Sequence, residues 1–241
     1  MIPALNEERR IRPTIEALLA YLAPQRYRSA LVVVDNGCID GTVDVVSELA
    51  TMSPVPIHLT NCSRRGKGAA VRYGILTSQA RYVGFCDADL AAPIETLDRV
   101  WPRLEDGARV VIGSRFFEGA ARVHLQPRRR QLVSTLFRVL AGRLLPEITD
   151  TQCGFKIFEG ETARQLLPHC RVDGFAFDLE LLFLARAAGL MVSEVPVAWS
   201  DRPGSTFRPR QDGVRSFVDA LSLAWRHDAV TARLVDVQPR A

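Results

Sequence analysis

A chain of 241 residues with 47% hydrophobic content is long enough to bury a large core as one enzyme-sized domain, with no need of disulfides or a partner to fold. Its five cysteines (Cys38, Cys62, Cys86, Cys153 and Cys170) are odd in number and lack C-x-x-C spacing, so they read as reduced thiols of a cytoplasmic protein rather than zinc ligands. A net charge of +4 with a pI near 9.0 suits an anionic substrate or a membrane face, and no interleaved aromatic and basic residues mark nucleic acid as a partner.

In chain order, Ile15 to Leu22 predicts a helix that is too short and too charged at its flanks to span a membrane. Ala30 to Val34 predicts a buried strand running into Asp35-Asn36-Gly37, and Asp40-Gly41-Thr42 leads a helix through Val45, Val46 and Leu49. Pro56 to Leu59 reads as the next strand, followed by Gly66-Lys67-Gly68 and a helical stretch from Ala69 to Ala80. Tyr82 to Cys86 is a strand that releases Asp87-Ala88-Asp89, after which a helix runs through Leu97, Val100 and Leu104. Arg109 to Gly113 is a further strand, ending in Ser114-Arg115. Arg128-Arg129-Arg130 then opens a helix whose Leu132, Val133, Leu136, Phe137 and Leu140 are expected to pack on the sheet while its basic start faces anionic lipid.

This alternation predicts an α/β fold with a mostly parallel central sheet flanked by helices. In such sheets ligands bind beyond the carboxyl ends of the strands, where Asp35, Asp87, Asp89 and Arg115 converge. Two carboxylates one residue apart, together with diphosphate oxygens, make a site for Mg²⁺ or Mn²⁺. The blander reading of Asp87-Ala88-Asp89 is a turn before Pro93-Ile94-Glu95 opens the next helix. Ala69 stands where a P-loop needs a hydroxyl and no G-x-G-x-x-G follows a first strand, which makes a P-loop kinase and a dinucleotide dehydrogenase poor fits. Asp35 reads either as a hydrogen-bond acceptor for a nucleoside or as a turn carboxylate. Lys67 either neutralises a diphosphate or decorates a glycine turn, and Asp178 and Glu180 either face substrate or serve as helix cap and surface carboxylate. The four histidines are scattered, so none is assigned to catalysis.

Together these strings resemble family 2 glycosyltransferases: Pro3-Ala4-Leu5-Asn6-Glu7-Glu8, Val33-Val34-Asp35-Asn36-Gly37, Gly66-Lys67-Gly68 with Val71-Arg72, and Asp87-Ala88-Asp89. Gly113-Ser114-Arg115, Asp150-Thr151-Gln152-Cys153-Gly154-Phe155-Lys156 and Phe177-Asp178-Leu179-Glu180-Leu181-Leu182 resemble the branch acting on dolichyl or polyprenyl phosphate, on its glucosyltransferase side. The resemblance runs from Pro3 to about Trp225. It implies a single GT-A domain over 1–241, with a nucleotide-binding half at 1–115, an acceptor half at 116–229 and a flexible tail at 230–241.

By the same resemblance, Pro3, Leu5, Glu7, Asp35, Lys67 and Asp87 bind the nucleotide sugar, and Asp87 and Asp89 hold the metal. Arg115 and Arg130, with Arg202 and Ser205 from a mobile loop, meet the acceptor phosphate; Asp89, Asp150, Arg115 and Arg130 are the catalytic set. The implied reaction is inverting, metal-dependent transfer of a hexose from a UDP-sugar to polyprenyl or dolichyl phosphate, on the cytoplasmic face of the membrane beside a separate membrane partner. Glucose is the expected sugar, with N-acetylgalactosamine next. The alternatives are a GDP-mannose-dependent mannose synthase, a sugar nucleotidyltransferase and a non-catalytic nucleotide-sugar-binding subunit. Four departures from the family pattern stand out: Leu5 in place of an aromatic residue, Asn36 and Cys38 in place of Asp and Ser, Ala91 in place of a liganding glutamine, and only Met1 and Ile2 before Pro3. The last implies a first strand clipped to a stub or a translation start assigned too late.

Overall fold

The computed structural model describes residues 1–124, 128–200 and 211–225; side chains of 122–134, 211 and 224 lie outside that description. The chain runs β1 (Ile2–Ala4), α1 (Glu8–Leu22), β2 (Leu31–Asp35), α2 (Thr42–Met52), β3 (Ile57–Asn61), α3 (Lys67–Leu76), β4 (Tyr82–Cys86), α4 (Leu97–Glu105) and β5 (Val110–Ser114). It continues through β6 (Ala121–His124), α5 (Arg128–Leu144), β7 (Phe155–Glu159), α6 (Gly160–Leu166), α7 (Phe177–Ala187), β8 (Val192–Pro196), β9 (Ala198–Ser200) and α8 (Gln211–Trp225). The four strands expected between residues 30 and 113 are all present, within two residues of their predicted bounds.

β1, β2 and β3 form one parallel sheet in the order β1-β2-β3, and a second sheet has the order β4-β7-β5-β8. Met1 joins the two: its amino group donates to the Gly84 carbonyl at 2.7 Å, and its own carbonyl accepts from the Cys86 N–H at 3.1 Å. The expected sheet is therefore there with one exception, since β7 runs antiparallel to both β4 and β5. That reversal matters for the site. The segment entering β7 arrives at the edge where β2, β4 and β5 end.

Helices cover both faces because the strand residues are apolar on both sides. Val33, Val110, Val111 and Ile112 are fully buried, and two clusters of buried side chains fill the layers on either side of the sheet. Burying one such side chain stabilises the fold by about 1.5–3 kcal/mol. α5 behaves as expected in part: Phe137 and Ala141 are buried in the core, whereas Leu136 and Val139 face outward. The five cysteines are free thiols. Burial pushes the Cys86 thiol up to about 11 and the Cys153 thiol up to about 12, so both are inert. Among the described residues no helix is long and apolar enough to cross a membrane.

Candidate active site

Asp87 leaves β4 at the carboxyl edge and lies against the segment that enters β7. Its N–H donates to the Gly154 carbonyl at 3.1 Å. A Cβ on Gly154 would stand 1.9 Å from Asp87 Oδ2, so only glycine admits the carboxylate here. Asp87 Oδ1 is 2.6 Å from Lys67 Nζ, at the start of α3.

Behind Lys67 lies a run of alternating charges. Asp178 Oδ2 is 3.8 Å from Lys67 Nζ, and Asp178 Oδ1 is 2.6 Å from the fully buried ammonium of Lys156, which also donates to the Cys153 carbonyl at 2.6 Å. The Lys67 ammonium also sits 5.9 Å and 5.8 Å from the ring centroids of Phe85 and Phe177. Burial works against the Lys67 charge, but Asp87 and Asp178 outweigh it and hold the pKa above the ordinary lysine value. Lys67 and Lys156 are the chain's two lysines; every other side-chain cation except histidine is an arginine. Asp178 therefore does not cap α7, whose N-cap Ala176 has no side-chain bond, and Glu180 is no surface carboxylate. Glu180 is buried and accepts the N–H groups of Arg171 (2.8 Å) and Val172 (2.7 Å), folding the preceding loop onto the helix.

Asp89 has its own internal cation. Arg10 of α1 reaches it at 3.4 Å while forking onto Glu7 with two bonds of 2.7 Å. Burial, then the Asp87 charge, raises the Asp89 pKa above the usual carboxylate value. Burial also pushes Glu7 up to about 7, against the pull of Arg10. The Ala91 N–H donates to Asp89 Oδ1 at 3.1 Å, so this position steadies the carboxylate through its backbone.

Asp35 sits where β2 ends. Its Oδ1 accepts from the Gly37 and Cys38 N–H groups (3.0 and 2.7 Å) and its Oδ2 from Asn61 Nδ2 (2.9 Å). Burial pushes Asp35 up, yet these bonds prevail and hold it below the usual range. The turn-carboxylate geometry is thus present. Asn36 has a structural reason to differ from Asp: it is buried, donates to the Cys62 and Arg64 carbonyls (3.3 and 2.8 Å) and accepts from the Gly66 N–H (2.7 Å). A carboxylate could not donate. Gly66, at φ 129°, would bring a Cβ within 2.1 Å of the Asp173 carbonyl oxygen. That oxygen also takes the Gly68 and Ala69 N–H groups (2.8 and 3.3 Å), so the second and third amides of α3 are already engaged. Pro3 pairs with Val34 in the sheet, and Leu5 follows β1 half-buried.

Arg115 and Asp150 meet at the end of β5. Arg115 binds Asp150 bidentately, Nε to Oδ2 at 2.7 Å and Nη2 to Oδ1 at 2.8 Å, and its N–H adds a third bond of 3.0 Å to Oδ2. Burial pushes Asp150 up, but Arg115 prevails and holds it below the ordinary range. Glu194 of β8 takes the N–H groups of Thr149 (2.9 Å) and Asp150 (3.2 Å), which fixes the loop. Arg138 of α5 stacks on Phe116, its guanidinium 4.3 Å from the ring centroid. Arg115, Phe116, Arg138, Asp150, Thr151 and Gln152 line a small pocket, and Gln152 Nε2 is buried without a hydrogen-bond partner. Arg130 falls within α5 but its side chain is outside the described residues, as are Arg202 and Ser205 entirely.

Sequence reasoning missed Arg10, Lys156, Glu194 and Arg138. Of these only Lys156 carried a signal, as one of two lysines in a chain otherwise using arginine. The hard carboxylate oxygens of Asp87 and Asp89 fit Mg²⁺ or Mn²⁺. Among the described residues, however, no group of three or more His, Cys, Asp or Glu is arranged to hold a metal by itself. These two carboxylates would make up only part of a coordination shell.

Residues 1–166 match Glycosyl transferase family 2. A dolichyl-phosphate beta-glucosyltransferase of Trichomonas vaginalis is 33% identical, the alignment covering 83% of this chain and 63% of that protein. The Drosophila melanogaster dolichyl-phosphate beta-glucosyltransferase is 31% identical, covering 100% of this chain and 78% of the relative. Among solved structures, glucosyl-3-phosphoglycerate synthase from Mycobacterium tuberculosis with Mn²⁺, UDP and glucosyl-3-phosphoglycerate superposes with a TM-score of 0.67 at 20% identity, covering 92% of this chain and 77% of that one. Mannosyl-3-phosphoglycerate synthase from Rubrobacter xylanophilus gives 0.68 at 16% identity, covering 95% and 74%, and both likenesses speak to the GT-A fold alone. The chain belongs to glycosyl transferase family 2, among the relatives of the dolichyl-phosphate beta-glucosyltransferases.

Proposed function

We propose that this chain transfers a hexose, glucose first among candidates, from a UDP-sugar to dolichyl or polyprenyl phosphate with inversion at the anomeric carbon. One observation carries the reading. The short segment 150–154 meets Asp87 through Gly154 and Arg115 through Asp150, which supports a cation-binding group beside an anion-binding group. The names of the relatives supply the acceptor class, and neighbours bound to UDP with Mn²⁺ supply the donor class.

Asp87 and Asp89 would hold the divalent cation, which when bound supplies Lewis-acid stabilisation of the leaving diphosphate. The acceptor is a phosphate monoester already ionised at neutral pH, its second pKa being about 6, so the attacking oxygen needs no general base. Arg115 keeps a fixed orientation because Asp150 holds two of its donor groups and the Phe116 and Trp199 rings flank it, each centroid 5.6 Å away. Its role is to hold the acceptor in line rather than to activate it. Arg138 lines the same pocket as a second guanidinium.

A peripheral seat on the cytoplasmic face of a membrane, with or without a membrane-protein partner, belongs to this reading. α5 packs beside α8, and the two expose Leu136, Val139, Val214, Val218 and Trp225, the last 91% accessible. On α8 these recur at helical spacing, as an interfacial helix requires.

The test is a donor screen. The purified chain is incubated with radiolabelled UDP-glucose or another UDP-hexose, Mn²⁺ or Mg²⁺ and polyprenyl phosphate, and labelled lipid is extracted. Glycolipid that disappears with chelator and with Asp89→Asn is the expected result. Pyrophosphate release from UTP and sugar 1-phosphate, or donor binding without turnover, would replace the reading.

A further inference from the structure

Each carboxylate of the pair that would hold the metal already has an internal cation beside it. Lys67 is 2.6 Å from Asp87, and Arg10, whose closer partner is Glu7, reaches Asp89 at 3.4 Å. A divalent ion added to that arrangement leaves a surplus of positive charge in a partly buried site, which is costly where the dielectric is low. The described residues also supply too few ligands to close a shell.

We propose that Lys67 is a resident cation that occupies Asp87 until the nucleoside diphosphate arrives, so that metal and donor bind together and neither binds well alone. The inference rests on the donor class proposed above. The diphosphate brings the missing negative charge and oxygen ligands, and it gives the displaced ammonium a new anionic partner. Lys67 has little room to retreat inward. Asp178 lies 3.8 Å away and is already engaged by Lys156, and the Phe85 and Phe177 rings wall the inner side. The Gly68 and Ala69 amides of α3 are spent on the Asp173 carbonyl, which leaves the Lys67 side chain as the charged group at this turn able to follow a phosphate. A flexible stem bearing a point charge suits that exchange better than a planar guanidinium fork, and Lys67 is one of two lysines in a chain that otherwise uses arginine.

Mn²⁺ binding, read from the electron paramagnetic resonance of the free ion with and without UDP, tests this in the full chain, Lys67→Met and Lys67→Arg. In the wild type UDP is expected to tighten Mn²⁺ about tenfold or more, and Mn²⁺ to tighten UDP by the same factor, since coupling is reciprocal. Lys67→Met is expected to bind Mn²⁺ several-fold tighter without UDP, with the coupling reduced to about threefold or less, whereas Lys67→Arg keeps most of it. Because the chain has only two lysines, carbon-13 labelling at their ε-carbons reads the wild type directly, without any variant having to fold. The Lys67 signal should move when Mg²⁺ and UDP are added together and stay in place with Mg²⁺ alone, while Lys156 stays throughout. Unchanged Mn²⁺ affinity and full coupling in Lys67→Met, or a Lys67 signal indifferent to Mg²⁺ with UDP, would overturn the inference and leave the donor assignment intact. A wild-type chain that binds neither UDP nor UDP-glucose with any metal would overturn the donor assignment itself.

Discussion

Replacing Gly154 by alanine adds one methyl group and tests whether the position of Asp87 sets the chemistry. That Cβ would stand 1.9 Å from Oδ2, 2.3 Å from Cγ and 2.7 Å from Oδ1 of the same carboxylate. Real contacts of this kind do not fall below 3.0 Å, and turning the carboxylate about its own axis leaves Cγ at 2.3 Å. The side chain must retreat by about 1 Å, pulling Oδ1 from Lys67 Nζ, 2.6 Å away. Gly154 has no positive φ, so alanine strains nothing else in the backbone. Overpacking of this size costs about 1–3 kcal/mol of stability. A displacement of about 1 Å in a reacting constellation costs about a hundredfold in rate. Glycolipid synthesis measured as kcat/KM, beside thermal melting of the same preparation, separates the two effects. A variant that melts a few degrees low yet retains kcat/KM within about threefold of wild type would refute the reasoning, because Asp87 would have moved without consequence.

Two further outcomes follow from buried charge. Lys156→Met leaves Asp178 buried with only Lys67 nearby, at 3.8 Å, and is expected to cost about 3–5 kcal/mol in chemical denaturation. Adding Asp178→Leu should recover at least half of that loss, whereas simple additivity of the two losses would show that the pair is not coupled. Glu7 keeps its proton up to about pH 7 in the folded chain and loses it near 4.5 when unfolded. The stability held in that proton is complete below about 4.5 and is lost as pH rises through about 7, by about 3 kcal/mol at most. Glu7→Gln should therefore flatten the decline of Tm across that interval in metal-free protein, and an undiminished slope would contradict the assignment.

The sheet was legible where apolar runs end in charged or glycine-containing turns. Val33-Val34-Asp35 and Phe85-Cys86-Asp87 mark both strand and edge, because a buried strand facing helices on both sides must be apolar throughout and its first carboxylate shows where burial stops. β7 was opaque for the opposite reason. Phe155-Lys156-Ile157-Phe158-Glu159 carries a lysine at its second position, which reads as exposed until Asp178, twenty-two residues later, is found beside it. Direction is invisible as well: nothing in that pentapeptide says that it runs against β4 and β5. Arg10 was missed because a charge on the first turn of a helix ordinarily faces water, and only the packing of α1 against the sheet turns it toward Asp89. Asp35, Asp87, Asp89 and Arg115 were placed on one rim by strand order alone. Their partners Asn61, Lys67, Arg10 and Asp150 come from the end of β3, from α3, from α1 and from the loop before β7, all distant in sequence.

The reversed direction of β7 has a kinetic consequence. One short stretch of backbone abuts Asp87 at one end and holds Arg115 through Asp150 at the other, so on the proposed function the two substrates would lean on a common strut. A change anywhere in that strut should degrade saturation by the sugar nucleotide and by the lipid in concert. Steady-state constants for the two substrates are then expected to drift together across a mutant series, as if one hinge served both doors.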